Sequence, residues 1–172
     1  GVELQLRDAD GAEVAEDDPG EIVVRGANLF SGYWPDGRDG PDADGWFRTG
    51  DVAYADEDGD LHLVDRTREL VLVSGFNVYP REVETALNQH PGIAEAAVIG
   101  ISHPYTGESV KAFVVAREGA VLTAEEVVEF CAQRLARFKC PTAVEFVAEL
   151  PHSVTGKLAK GRLREAAATG TD

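Results

Sequence analysis

Asp65-Arg66-Thr67-Arg68-Glu69-Leu70-Val71-Leu72-Val73-Ser74-Gly75-Phe76-Asn77-Val78-Tyr79-Pro80 is the stretch on which the reading of this chain turns. Charged residues dominate up to Arg68, and a short apolar run occupies residues 70–73 immediately after it. Ser74-Gly75 then separates that run from Phe76-Asn77-Val78-Tyr79, the pattern of two short strands joined by a tight hairpin. Pro80 suits the first turn of a helix, because its fixed φ is helical and its missing N–H is not needed there. Val83, Ala86 and Leu87 give that helix one apolar face, and His90-Pro91-Gly92 stops it.

Downstream of this stretch, residues 94–101 and 110–116 are apolar enough to read as strands. Thr123-Ala124-Glu125-Glu126 is a capping box, in which Thr123 and Glu126 satisfy amides at a helix start. It opens a helix with Val127, Phe130, Cys131 and Leu135 on one side. Residues 145–147 read as a further strand, and a basic helix of about ten residues closes the chain. Upstream, residues 2–7 and 21–25 are strand-like, with a turn-rich segment over 8–20. Residues 61–64 follow Asp58-Gly59, a hairpin signal, and residues 35–45 are dense enough in Asp, Gly and Pro to be an exposed loop. The prediction is α+β: a β-rich part over residues 1–67, then a compact α+β domain over 68–172 with a mixed or antiparallel sheet and flanking helices.

The chain has 172 residues, of which 44% are hydrophobic and 27% charged, a balance that supports a buried core rather than disorder. It contains no Met, and function is accordingly argued for a longer parent. A formal net charge of -15 disfavours a general nucleic-acid or anionic-membrane role, since such a surface repels phosphate. No apolar run approaches the roughly 20 residues of a membrane span, and no signal peptide is visible; a cytoplasmic location is expected.

Cys131 and Cys140 form no C-x-x-C pair, and the four histidines (His62, His90, His103 and His152) lack metal-ligand spacing, so no metal site is predicted. The Asp-Gly clusters also fail the calcium-loop test. Counting back five from Gly11, Gly40, Gly45 and Gly59 gives Leu6, Pro35, Gly40 and Tyr54, where an EF-hand needs Asp. Turn chemistry accounts for them better. Gly156-Lys157 is not a P-loop, because Pro151 and Leu158 occupy the places that require Gly and Ser or Thr.

Three segments can carry chemistry, though each has a plain structural alternative. In Gly45-Trp46-Phe47-Arg48-Thr49-Gly50-Asp51, the Asp51 carboxylate can accept both hydrogen bonds of a ribose diol, or Gly50-Asp51 is merely a turn leading into the next strand. In the opening stretch, Arg66 can fork onto ribose or phosphate oxygens and Arg68 can be a pivot, or the group is a solvated charge cluster. In Leu150-Pro151-His152-Ser153-Val154-Thr155-Gly156-Lys157-Leu158, Lys157 is an ammonium on a loop that can meet developing negative charge, or an ordinary surface lysine.

Taken together, in this order and spacing, the three segments resemble the adenylate-forming superfamily: acyl-CoA synthetases, nonribosomal adenylation domains and beetle luciferases. The resemblance runs from Gly20-Glu21-Ile22 to about Glu165. Within the superfamily, Val73-Ser74-Gly75-Phe76-Asn77-Val78-Tyr79-Pro80 and Arg137-Phe138-Lys139-Cys140-Pro141 look most like bacterial medium- and long-chain fatty-acyl-CoA ligases.

The resemblance implies that Asp51 and Arg66 contact the nucleotide and that Arg68 is an interdomain hinge. It implies that Lys157 assists adenylation and that Ser74, Gly75 and Phe76 border the CoA channel. Residues 1–67 become the end of a large domain and 68–172 a small mobile one. ATP, a carboxylic (fatty) acid and CoA are the implied reactants, with Mg2+ held by ligands outside this chain. The chain alone is expected to be inactive. Arg68 stands where many members carry Lys, and Leu72 and Ser74 stand where aryl-CoA ligases and luciferases carry further lysines. The open alternatives are an adenylation domain or fatty-acyl-AMP ligase loading a carrier protein, and a non-catalytic interaction module that keeps the fold.

Overall fold

In the computed structural model, which describes residues 1–169, the chain divides into two compact units, Gly1–Arg68 and Glu69–Asp172. The first is a four-stranded antiparallel meander: β1 (Glu3–Arg7), β2 (Gly20–Arg25), β3 (Trp46–Ala55) and β4 (Leu61–Arg66), in that order across the sheet. Its buried apolar residues include Leu6, Val23, Trp46, Val52 and Ala53. The Arg7 and Arg25 guanidiniums each lie 4.6 Å from the centre of the Trp46 ring, and such stacking covers an indole that a thin sheet cannot bury alone.

The Asp-Gly clusters serve as turns by one repeated device. Asp8, Asp42 and Asp56 each accept, through Oδ1, the amides two and four residues ahead, at 2.8–3.1 Å. A short acceptor on the side chain mimics a backbone carbonyl and holds the reversal. The last of these turns joins β3 to β4.

Residues 46–55 differ from expectation. Gly50-Asp51 does not lead into a strand but lies inside β3, the longest strand of this unit. Gly50 has φ +77°, and the pairing slips between Glu21 and Val23 on one side and between Val52 and Ala53 on the other. The turn-like composition therefore encodes bulges within a strand, which re-aim side chains without ending the ladder.

The second unit is α+β, the fold class read from the sequence. It comprises β5 (Val71–Val73), β6 (Phe76–Val78), α1 (Pro80–Leu87), β7 (Ile93–His103), β8 (Gly107–Ala116), α2 (Ala124–Ala132), β9 (Ala143–Phe146) and α3 (Lys160–Thr169). The sheet runs β6-β5-β8-β7 with antiparallel neighbours, and β9 lies parallel to β8. β5 meets β8 at Val73 and Gly107, so β5 and β9 share one side of β8.

Both faces of this sheet are buried, which explains why β7 and β8 read as nearly continuous apolar runs. On one face Ala96, Val98, Val110, Ala112 and Val114 pack with Val83 and Leu87 of α1 and Val127 and Cys131 of α2. On the other, Ala97, Ile99 and Phe113 pack with Leu150 and with Leu163 of α3. The capping box forms: Glu126 N donates to Thr123 Oγ1 (3.2 Å) and Thr123 N to Glu126 Oε2 (2.8 Å). α2 ends at Ala132, so Leu135 lies beyond it, and Phe130 packs sideways between the His90 ring (4.7 Å) and the Arg134 guanidinium (3.5 Å).

Candidate active-site residues and related proteins

Asp51 on β3 and Arg66 on β4 are direct partners across the ladder. Arg66 Nε donates to Asp51 Oδ1 at 3.1 Å, with the two side chains 55% and 38% exposed. The bulge that aims Asp51 is stitched to β2 by two hydrogen bonds and braced by a third within β3. Thr49 Oγ1 donates to Ile22 O (2.8 Å) and accepts Asp51 N (3.2 Å), while Gly50 N donates to Glu21 Oε1 (3.1 Å). Glu21 is also ion-paired with Arg48. The Glu21 carboxylate is buried, and a buried anion persists only where donors converge on it.

Chemically, the pair offers two carboxylate oxygens beside a guanidinium. The carboxylate suits a vicinal diol, and the guanidinium N–H groups not turned toward Asp51 suit an anionic or hydroxyl oxygen. Sequence reading placed Glu21 in a strand without a role. Its signal was an acidic residue at the start of an otherwise apolar run, Ile22-Val23-Val24.

Arg68 is exposed in a single 3-10 turn, Thr67–Glu69, at the last residue of the first unit. Ser74 and Gly75 form the two-residue turn between β5 and β6, with φ +52° and +84°. Two consecutive positive φ values make the primed turn whose twist matches a tight hairpin. The hairpin is tied to β8 and the turn before it: Leu72 N donates to Glu108 Oε2 (2.7 Å) and Ser74 N to Thr106 O (2.9 Å). Phe76 is 57% exposed and stacks on Phe138 at 4.8 Å. Glu108 went unnoticed in the sequence because its partner is 36 residues away.

Lys157 sits on the exposed loop between Leu150 and α3. The loop closes on itself: Ser153 N donates to Lys157 O (2.8 Å), Gly156 N to Ser153 O (2.9 Å) and Lys157 N to Ser153 Oγ (3.2 Å). Its base is fastened by Ala159 N to Pro151 O (2.8 Å) and by the His152 ring. That ring lies 2.9 Å from Leu150 O through Nδ1 and 3.0 Å from Glu95 Oε1 through Nε2. The loop is thus a defined presentation of one ammonium. Within the second unit, the Ser74-Gly75-Phe76 turn and the Lys157 loop are separate, with no hydrogen bond or ion pair joining them among the described residues.

Cys131 and Cys140 are buried free thiols. Burial pushes the Cys131 thiol up to about 11, with Cys140 adding to the shift, so it packs the core as a neutral group. No helix among the described residues is long and apolar enough to cross a membrane.

Residues 82–157 match the family model of the AMP-binding enzyme C-terminal domain. The chain belongs to the adenylate-forming superfamily. Among curated proteins it is 46% identical to the long-chain-fatty-acid–CoA ligase of Escherichia coli O157:H7, over 96% of this chain and 30% of that protein. Among solved structures it superposes on ATP-bound MatB from Rhodopseudomonas palustris with a TM-score of 0.88, at 40% identity over 96% of this chain and 34% of that one. The amide bond synthetase McbA from Marinactinospora thermotolerans gives a TM-score of 0.85 at 39% identity, again over 96% and 34%. The chain spans about a third of the length of these relatives.

Proposed function

We propose that this chain is part of an ATP-dependent acid–CoA ligase acting on a fatty acid. The observation that carries the reading is the Asp51–Arg66 ion pair, a diol acceptor and an oxyanion donor held 3.1 Å apart on one ladder, in a chain that also presents Lys157 on a structured loop. The relatedness to a long-chain-fatty-acid–CoA ligase and to ATP-bound MatB supports it.

In the first step a carboxylate oxygen of the acid attacks the α-phosphorus of ATP, and the bond to pyrophosphate breaks. Both reactants are anionic, so cationic charge near the reacting atoms lowers the barrier. Asp51 holds the ribose, Arg66 contacts the nucleotide, and Lys157 supplies the ammonium. In the second step the CoA thiol attacks the acyl carbon and AMP leaves. A pivot at Arg68 exchanges Lys157 for the Ser74-Gly75-Phe76 turn, whose glycine lets backbone approach a thin ligand closely. Residues 1–67 are then the end of a large domain and 68–172 a mobile one. The phosphate-binding loop, the Mg2+ ligands and the acyl pocket belong to the remainder of the parent, and this chain alone is inactive.

The test uses the full-length parent with ATP, a fatty acid and CoA. CoA-dependent release of AMP with formation of the thioester is expected. Acyl-AMP formation without CoA-dependent release would move the protein to the carrier-loading or acyl-AMP-ligase reading. Kinship with an amide bond synthetase makes that second reading specific, because an amide bond joins an acyl group to nitrogen rather than to a thiol. Failure to bind ATP would leave an interaction module.

A further inference from the structure

The helix that follows the Lys157 loop carries two basic residues one turn apart, and each is paired with an acid on a different element. Lys160 Nζ lies 2.7 Å from Glu84 Oε1 on α1, with the two side chains only 13% and 14% exposed. Glu84 Oε1 also accepts Val98 N from β7 at 2.8 Å, so the pair clasps a strand of the sheet as well as a helix. Arg164 is ion-paired with Glu69, whose side chain is 13% exposed and which directly follows Arg68. Leu163, between the two, is buried against Ala97, Ile99, Phe113 and Leu150.

Ion pairs of this kind hold geometry more than they add stability. Desolvation offsets much of their attraction, while the paired, hydrogen-bonded arrangement is hard to leave. Lys160 is three residues from Lys157, and Ala159 N closes the loop onto Pro151 O. α3 therefore joins the residue after Arg68 at one point to the base of the lysine loop at another.

We propose that Arg164 and Lys160 are positioning residues for Lys157: through Glu69 and Glu84 they make α3 a stiff strut, which holds the Lys157 ammonium at a fixed place relative to the residue after Arg68. The proposal rests on the reading of Lys157 and Arg68 given above. A loose strut lets the loop drift from that place, which harms the step that needs Lys157 and spares the one that does not.

The experiment compares four forms of the full-length parent: wild type, Lys157→Ala, Arg164→Gln and the charge-exchanged Glu69→Arg/Arg164→Glu. Acyl-AMP formation and thioester formation from supplied acyl-AMP are measured separately, with amide hydrogen exchange over residues 153–158 and over β8. Arg164→Gln is expected to slow adenylation by about 10- to 100-fold, the usual consequence of ångström-scale misplacement, and to leave thioester formation within about twofold. Exchange in the lysine loop is expected to accelerate while β8 is unchanged, and the charge-exchanged form is expected to recover most of the adenylation rate.

Unchanged adenylation in Arg164→Gln, where Lys157→Ala abolishes it, overturns the strut while leaving the function of Lys157 standing. Equal loss of both half-reactions with faster exchange in β8 also overturns it, since the pair then only maintains the fold. If Lys157→Ala itself leaves adenylation intact, the reading of the lysine fails first and the strut with it.

Discussion

Arg66 Nε stands 3.1 Å from Asp51 Oδ1, between residues directly opposite each other on β3 and β4. An exposed pair of this kind adds little to stability, about 0.2–1 kcal/mol. Its value lies in placing an acceptor and a donor on one surface. Asp51→Ala is therefore expected to change the melting temperature of the parent little and to raise KM for ATP by about 10-fold or more, because a lost ribose carboxylate removes charge-assisted hydrogen bonds. Steady-state kinetics with ATP varied checks it; an unchanged KM removes Asp51 from the site.

Lys157→Ala in the parent is expected to reduce acyl-AMP formation by about 100-fold or more, as loss of a preorganised cation does elsewhere. Thioester formation from supplied acyl-AMP should survive. Pyrophosphate release and CoA consumption, followed separately, decide between this outcome and equal loss of both.

Arg68→Pro should give the opposite bias. Proline fixes φ and removes the amide, so a pivot at this position loses the freedom to change conformation. Adenylation continues and the thioester step falls. A thioester rate equal to wild type places the hinge elsewhere.

Glu21→Gln tests the support beneath Asp51. The amide side chain keeps an acceptor for Gly50 N and loses the charge facing Arg48. Breaking a pair whose carboxylate is buried and whose guanidinium is half exposed is expected to cost about 1–3 kcal/mol in unfolding free energy. KM for ATP should rise with it, as the bulge that aims Asp51 loosens. Urea titration and ATP kinetics on one preparation check both, and a stability loss with KM unchanged confines Glu21 to the fold.

Cys131 sets an alkaline limit. Its thiol is raised from an ordinary 9.0 to about 11 by burial. Between those values the unfolded chain has lost the proton and the folded chain has kept it. Stability is then fully present below pH 9 and falls as pH rises toward 11, by about 2–3 kcal/mol at most. Cys131→Ala should lose stability at neutral pH through the cavity it leaves and show a flatter decline above pH 9. Denaturation curves at pH 7, 9 and 10.5 measure both effects.

The features legible in the sequence are those whose physics is local. The Thr123–Glu126 box spans three residues, Pro80 pre-sets a single φ, and Ser74-Gly75 forms a turn from its own two residues. The apolar faces of β7 and β8 were legible too, because burial on both sides demands an unbroken run. Asp51, Arg66 and Lys157 were grouped only by the resemblance of their three segments to a known family, since each segment alone has a plain structural reading.

What the sequence could not supply is whatever depends on partners far along the chain. Residues 46–55 were hidden as a strand because their centre, Arg48-Thr49-Gly50-Asp51, has turn composition, and its pairing is with Glu21 and Ile22 of β2. The Asp51–Arg66 bond joins residues 15 apart through the ladder register, and the Arg164–Glu69 pair joins residues 95 apart through the packing of α3 on the sheet. Sequence chose the groups that could carry charge and bend the chain. Tertiary structure chose which of them meet, because an ion pair or a strand register exists only once the sheet has brought distant residues within hydrogen-bond reach.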